Sequence, residues 1–218
     1  MTEGVALIEM RTLTASIVAL DAAQKTSGVR VVQVEQNDLA GTCIKLAGDV
    51  GALEAAVAAA RATAQQMHVD CTTSVIANPS EIAYPLTIAG PRDYAGLLES
   101  YLVYIPGAAN QASDAKEPTM AEQRKSSSAP QAIGFIETQG YTAVIQAIDT
   151  ACKAGNVEVI GREKLGGGYI TVILQGDVAA VEAAVEAGKA KVEGLGNLIA
   201  AHVIARPSGE VMQLIPRP

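Results

Sequence analysis

The ten residues GDVGALEAAV at positions 48–57 return as GDVAAVEAAV at positions 176–185, which is 128 residues later. The same offset places Ile8-Glu9 on Ile136-Glu137 and residues 75–77 on residues 203–205. The register runs from residue 4 to residue 80 without a gap, and shared composition alone does not produce such a match. We therefore interpret the chain as a duplication, with two copies of one domain.

The hydrophobic period changes in the same order in both copies. Asp49 and Asp177 each precede an Ala/Glu/Val-rich segment and are expected to be helix N-caps. The order is β-α-β-β-α-β, unpermuted, which is the ferredoxin-like α+β arrangement with two helices on one face of an antiparallel sheet. In copy 1 the expected strands are 5–9, 29–34, 42–46 and 71–77, with a helix at 14–25; in copy 2 they are 133–137, 157–160, 170–174 and 198–205, with a helix at 142–153.

Three segments follow from this pattern. Residues 1–106 form copy 1, with an extra C-terminal part at 81–106 that has no counterpart in copy 2. Residues 107–131 are rich in Ala, Ser and Pro and poor in branched apolar residues, so we interpret them as a linker. Residues 132–218 form copy 2. Residues 94–104 have the composition of a short helix.

The composition excludes several classes of partner. A net charge of −7 and a pI near 4.9 argue against a nucleic-acid groove and against an anionic membrane surface. There is neither a secretory signal pattern at the N-terminus nor an apolar run of about 20 residues. Three widely spaced cysteines form neither a disulfide framework nor a zinc pattern, so we expect a cytoplasmic protein.

The run EKLGGG at 163–168 could be a phosphate-binding loop, but a strand follows it where such a loop needs a helix. A hairpin turn is therefore expected. The turn is either merely flexible, or kept free of side chains because backbone must pack closely there, for example around a symmetry axis.

No catalytic constellation can be assembled from the remaining candidates. Lys25 and Lys153 end the first helix of each copy, where they can pair with Asp21 and Asp149 four residues earlier or serve as a contact. The two histidines do not coincide in the repeat, and the cysteines are expected to be inert buried thiols. We expect no enzyme, no metal site and no cofactor.

Copy 2 resembles the bacterial microcompartment shell domain, and residues 4–80 resemble a diverged copy of it. The whole chain is thus similar to the tandem-domain shell proteins of that family. The motifs that carry the resemblance are AIGFIET at 132–138, Asp149-x-x-x-Lys153, EKLGGG at 163–168, Gly176-Asp177-Val178 and HVIARP at 202–207.

The resemblance implies a structural protein whose homotrimer is shaped as a pseudohexamer and tiles the shell with other shell proteins. It also implies a central pore for small polar metabolites. The loops of the two copies that would line this pore are Asp38, Leu39 and Ala40 in copy 1, and Gly166, Gly167 and Gly168 in copy 2. Because neither loop contains Cys, the iron–sulfur cluster of some tandem relatives is not expected.

The residues implied at the edge between tiles are Lys25, Lys153 and Arg206, but Asn78 replaces the arginine in copy 1. Equal edge contacts from both copies are therefore in doubt. Two other classes remain open: a ferredoxin-like protein that binds a small regulatory ligand, and an enzyme with an unrecognised site. The first would show saturable stabilisation by its ligand and no assembly into sheets.

Overall fold

The computed structural model describes residues 3–36, 41–80 and 131–215, together with the backbone of residues 103–104. Two β-α-β-β-α-β units follow one another, so the predicted order is confirmed in both copies. The elements of copy 1 are β1 (Gly4–Met10), α1 (Leu13–Thr26), β2 (Arg30–Gln36), β3 (Thr42–Gly48), α2 (Val50–Gln66) and β4 (Cys71–Ile76). After β5 (Val103–Tyr104), copy 2 contains β6 (Ala132–Gln139), α3 (Tyr141–Ala154), β7 (Glu158–Lys164), β8 (Tyr169–Gly176), α4 (Val178–Lys191), β9 (Asn197–Ile204) and α5 (Gly209–Leu214).

Each copy forms its own antiparallel sheet. The strand order is β4-β1-β3-β2-β5 in copy 1 and β7-β8-β6-β9 in copy 2. The registers correspond across the repeat: Ile8 pairs with Ile44, and Ile136 pairs with Val172. The first strand of each copy therefore lies inside its sheet, between the third and the last strand of that copy.

The extra C-terminal part of copy 1 adds a strand to the first sheet. Backbone of Val103–Tyr104 pairs with β2 opposite Glu35 and Val34. The expectation of a helix over 94–104 is therefore wrong at its last two residues, and residues 94–102 lie outside the described part. A free sheet edge presents unpaired amide and carbonyl groups, so pairing along it can override a weak helical pattern.

The predicted N-caps start the second helix of each copy. The carboxylate of Asp49 accepts a hydrogen bond from the Gly51 amide at 2.9 Å, and that of Asp177 accepts one from the Ala180 amide at 2.9 Å. Both caps lie just after a Gly that closes the preceding strand. This local chemistry is why the Gly-Asp-Val motif is repeated so closely.

The two faces of the sheet of copy 2 pack against different elements of the chain. Because side chains alternate along a strand, Ile136 points toward α3 and α4, whereas Ile133 and Phe135 point the other way. Ile133 and Phe135 belong to one apolar cluster with α1 of copy 1. Every residue of α1 from Leu13 to Asp21 is buried as a result.

The tail of copy 2 also packs on copy 1. The short helix α5 was not predicted, and its Val211 and Leu214 are buried in the cluster that contains α1. Within the ranges that the structure describes, no helix is both long and apolar enough to cross a membrane.

Candidate pore turn, edge residues and assembly surfaces

The triple-glycine run forms the predicted hairpin turn between β7 and β8. Gly166, Gly167 and Gly168 have φ angles of 77°, 56° and 82°, in the left-handed region that side chains other than glycine rarely adopt. The Leu165 amide donates to the Tyr169 carbonyl at 2.9 Å, which closes the turn. The turn therefore exposes backbone at its tip, with Gly167 and Gly168 open to solvent.

The turn is held against the end of β6. The Gly140 amide donates to the carbonyl of Gly168 at 3.0 Å, and the Gln139 side-chain amide donates to the carbonyl of Gly167 at 3.1 Å. These bonds fix the direction of a turn that would otherwise be flexible.

The corresponding loop of copy 1, with Asp38, Leu39 and Ala40, lies outside the described residues. Gly41, which follows it directly, lines a groove that is also lined by Gly167 and Tyr169 of copy 2. Gly41, which borders the first loop, and Gly167, at the tip of the second, therefore line the same groove.

The Lys–Asp pairs predicted along the first helix of each copy are present. Lys25 forms an ion pair with Asp21 on α1, and Lys153 forms one with Asp149 on α3 at 2.6 Å. The Asp21 side chain is 8% exposed, whereas the Asp149 side chain is 54% exposed. Equivalent pairs therefore lie in very different surroundings.

The difference arises because copy 2 covers the end of α1. The Ser208 amide donates to the Asp21 carboxylate at 2.8 Å, and the Ser208 hydroxyl donates to the Gln24 side chain at 2.7 Å. Arg206 is exposed in the bend just before Ser208. Lys25 of copy 1 and the Arg206 bend of copy 2 are consequently brought to the same end of α1. Asn78 is exposed in the equivalent bend after β4.

A buried carboxylate joins the two copies. Glu137, at the end of β6, is fully buried and accepts hydrogen bonds from the backbone amides of Leu13 at 3.3 Å and Thr14 at 2.9 Å. These amides belong to the first turn of α1, where a helix has unpaired donors and partial positive charge. Burial raises the pKa of the Glu137 carboxyl above its ordinary value, and the amide bonds act in the opposite direction.

The residues at the equivalent positions of the repeat are exposed. Glu9, which corresponds to Glu137, is exposed. Tyr141 is 51% exposed and Ile145 is 41% exposed, whereas their counterparts Leu13 and Ile17 in α1 are 3% and 5% exposed. The helix α3 therefore presents to solvent the face that α1 buries against copy 2.

The remaining candidates are the cysteines and the histidines. Burial raises the pKa of the Cys43 thiol to about 11 and lowers the pKa of His202. Cys43 and Cys71 lie in strands and Cys152 in a helix, as predicted. The expected burial is not met, because Cys43 and Cys71 are half-buried and Cys152 is exposed. Among the described residues, no three His, Cys, Asp or Glu side chains form a group that could hold a metal ion.

Sequence reasoning missed the contact between the copies. Glu9 and Glu137 stand at equivalent positions of the repeat, which marks the position but not the buried role of Glu137. The bonds from Ser208 to α1 could not be predicted either, because they join residues more than 180 positions apart.

Comparisons with known proteins agree with the repeat. The sequence profile of the BMC domain matches residues 4–79 and 132–207. The bacterial microcompartment shell protein PduA of Citrobacter freundii is 46% identical over 87 residues, which cover 40% of this chain and 94% of that protein. The shell protein EutM of Escherichia coli strain K12 is 43% identical over 86 residues, which cover 39% of this chain and 89% of that protein.

A solved microcompartment protein from Desulfitobacterium hafniense is 25% identical, with 98% of this chain and 99% of that chain covered. Its TM-score of 0.37 is too low to give this superposition weight. The two profile matches together span more than half of the 218 residues. The chain therefore belongs to the BMC domain family, as a microcompartment shell protein with two of these domains in tandem.

Proposed function

We propose that three chains close into a pseudohexameric ring that tiles the facet of a microcompartment shell and leaves a central pore for small polar solutes. The chain acts as a structural tile and not as an enzyme. Its partners are further copies of itself and other shell proteins, which meet it along the rim of the ring.

The observation that carries the proposal is the unequal burial of α1 and α3. Within the chain, the helix side of copy 1 packs on the sheet side of copy 2. The helix side of copy 2 has the same face exposed, at Tyr141 and Ile145. A contact of this head-to-tail kind generates a ring when its rotation closes. Three chains supply the six domains that a pseudohexamer needs.

The pore is proposed to be lined by the two loops that the family resemblance points to. Three glycine turns would alternate with three Asp38–Leu39–Ala40 loops around the axis. Exposed amides of the glycine turn favour anions, whereas three Asp38 carboxylates favour cations or neutral amines. We expect Asp38 to dominate, because a full charge outweighs partial dipoles where both are near water.

Ion selectivity tests this assignment. Reversal potentials of reconstituted trimers should shift toward anions when Asp38 is replaced by asparagine, which keeps the size of the side chain and removes its charge. An unchanged preference between anions and cations would refute the role of Asp38 without affecting the ring.

The rim is proposed to use Lys25, Lys153 and Arg206, with Asn78 as a weaker position. Lys153 is 73% exposed at its side chain, and Lys25 is 47% exposed, so both are accessible to a neighbouring tile. Replacement of Lys153 by alanine should reduce the formation of ordered sheets while the particle mass in solution stays the same.

The ring itself is tested by light scattering of the purified chain. The expected mass is three times the chain mass of 22.4 kDa. Electron microscopy of concentrated protein should then show hexagonally ordered sheets or tubes. A monomer at all concentrations would refute the proposal, and saturable stabilisation of that monomer by a small molecule would favour a ligand-binding protein instead.

A further inference from the structure

The carboxylate of Glu137 shows what α1 requires at its N-terminus. It accepts from the amides of Leu13 and Thr14, and the Thr12 hydroxyl accepts from the Ala15 amide at 3.1 Å. The first turn of α1 thus has two sources of acceptors, one from its own N-cap residue and one from the other copy. Together they satisfy donors that a helix cannot pair internally.

Among the described residues, the first turn of α3 has neither source of acceptors. Its N-cap is Gly140, which makes no side-chain hydrogen bond to the helix. The carboxylate that corresponds to Glu137 is Glu9, at the equivalent position of β1, and it is exposed. The described part of the chain therefore contains both halves of a second contact, an acceptor on copy 1 and donors on copy 2, without joining them.

The surroundings of the second half, the first turn of α3, are basic and so complement the charge of Glu9. Arg162 donates to the Tyr141 hydroxyl at 3.0 Å, and the Lys164 ammonium lies 5.7 Å from the centre of the Tyr141 ring. The corresponding positions of copy 1 are the uncharged Val34 and Gln36. Two cations are therefore added beside the N-terminus of α3, where the helix dipole is already positive.

The groove beside Glu9 carries one charge of each sign where the equivalent positions of copy 2 are uncharged. It is lined by the exposed Asp70, whose counterpart in copy 2 is the uncharged Leu198, and also by Arg11. The Glu9 carboxylate and the cations Arg162 and Lys164 beside α3 are all exposed, and attraction between them would orient an approaching second copy.

We infer that Glu9 of one chain docks on α3 of a second copy, accepting hydrogen bonds from its Tyr141 and Thr142 amides while Tyr141 and Ile145 become buried. The contact is the one that Glu137 makes with Leu13 and Thr14, repeated between chains. The inference rests on the proposed ring and names the side chain that completes it. The site is incomplete in one chain and requires the partner.

The experiment measures the assembly of the full chain by sedimentation velocity over a range of concentrations. Because Glu9 is exposed, its replacement should leave the folded monomer intact. Glu9→Ala should weaken the association of chains at least tenfold, and Glu9→Gln, which keeps one acceptor oxygen, should weaken it less. Glu182→Gln removes the same charge from an exposed position on α4 and serves as the matched control, with no effect expected.

Amide hydrogen exchange supplies the second measurement. In the wild-type assembly the Tyr141 and Thr142 amides should exchange slowly, and in assembled Glu9→Ala at high concentration they should exchange at least tenfold faster. If wild type assembles and Glu9→Ala assembles as tightly with unchanged exchange, the role of Glu9 is refuted and the ring stands. If wild type never assembles, the ring proposal fails, and this contact fails with it.

Discussion

The buried Glu137 gives the sharpest test of how the two copies hold together. Glu137→Ala removes both acceptors from the first turn of α1 and leaves the amides of Leu13 and Thr14 buried without them. A buried donor left without its acceptor costs about 1–3 kcal/mol, and two such amides are affected. We expect the free energy of unfolding to fall by about 2–4 kcal/mol.

The response to pH distinguishes this role from simple loss of packing. Burial raises the pKa of Glu137 above its ordinary value of 4.5, so the folded state keeps the proton at a pH where the unfolded state has lost it. The contribution of Glu137 is therefore complete below the unfolded pKa and is lost as pH rises through the folded pKa. Glu137→Gln cannot ionise, so wild type should lose stability relative to this variant as pH rises above the ordinary carboxyl pKa of 4.5.

Urea unfolding monitored by far-ultraviolet circular dichroism measures both effects, because the chain has no Trp for fluorescence. All variants are compared at one chain concentration, since assembly also stabilises the folded state. A change below about 0.5 kcal/mol for Glu137→Ala would refute the capping role. A wild type that gains stability over Glu137→Gln as pH rises would refute the assigned direction of the pKa shift.

Two further predictions concern packing and the thiols. Gly188→Val should lower the free energy of unfolding by about 3 kcal/mol, because its Cβ would lie 2.9 Å from the Ala147 carbonyl oxygen. The control Gly209→Ala adds a Cβ with nothing within 4 Å, so it should be near neutral in the same urea titration. Equal effects of the two substitutions would contradict this packing. Thiol alkylation of the native chain at about pH 8 should modify the exposed Cys152 well before Cys43, because burial raises the pKa of Cys43 to about 11. Peptide mass mapping locates the modified thiol. Modification of Cys43 first would contradict its assigned burial.

The parts of the fold that follow from short stretches of sequence could be predicted. Asp49 and Asp177 start their helices because a carboxylate two or three residues before an amide caps it wherever the sequence occurs. The glycine turn could be placed for a similar reason, because three consecutive left-handed residues exclude almost every other side chain. Strand ends were less well placed, and β7 continues to Lys164 instead of ending at 160. Pairing with β8 extends it beyond the β-branched run.

The contact between the copies could not be predicted, because the same sequence pattern is buried in one copy and exposed in the other. Ile17 and Ile145 are the same residue at equivalent positions of the repeat, yet one is 5% exposed and the other is 41% exposed. Periodicity identifies the inner face of a helix, whereas the outer face of α1 is buried only because another domain lies on it. The roles of the pore and rim residues depend on further chains, so they remain predictions.

In the proposed ring, the contact inside the chain and the contact between chains have different requirements. The contact inside the chain forms at a high effective concentration, because the copies are covalently joined. A contact between chains must also offset the loss of translational freedom, and its surfaces remain in water until they meet. An exposed apolar face promotes unwanted association, and charged neighbours reduce it while guiding the correct encounter. On this reasoning, the uncharged Val34 and Gln36 are suited to the contact inside the chain. Their counterparts Arg162 and Lys164, which lie beside Tyr141, are suited to a contact that forms between separate chains.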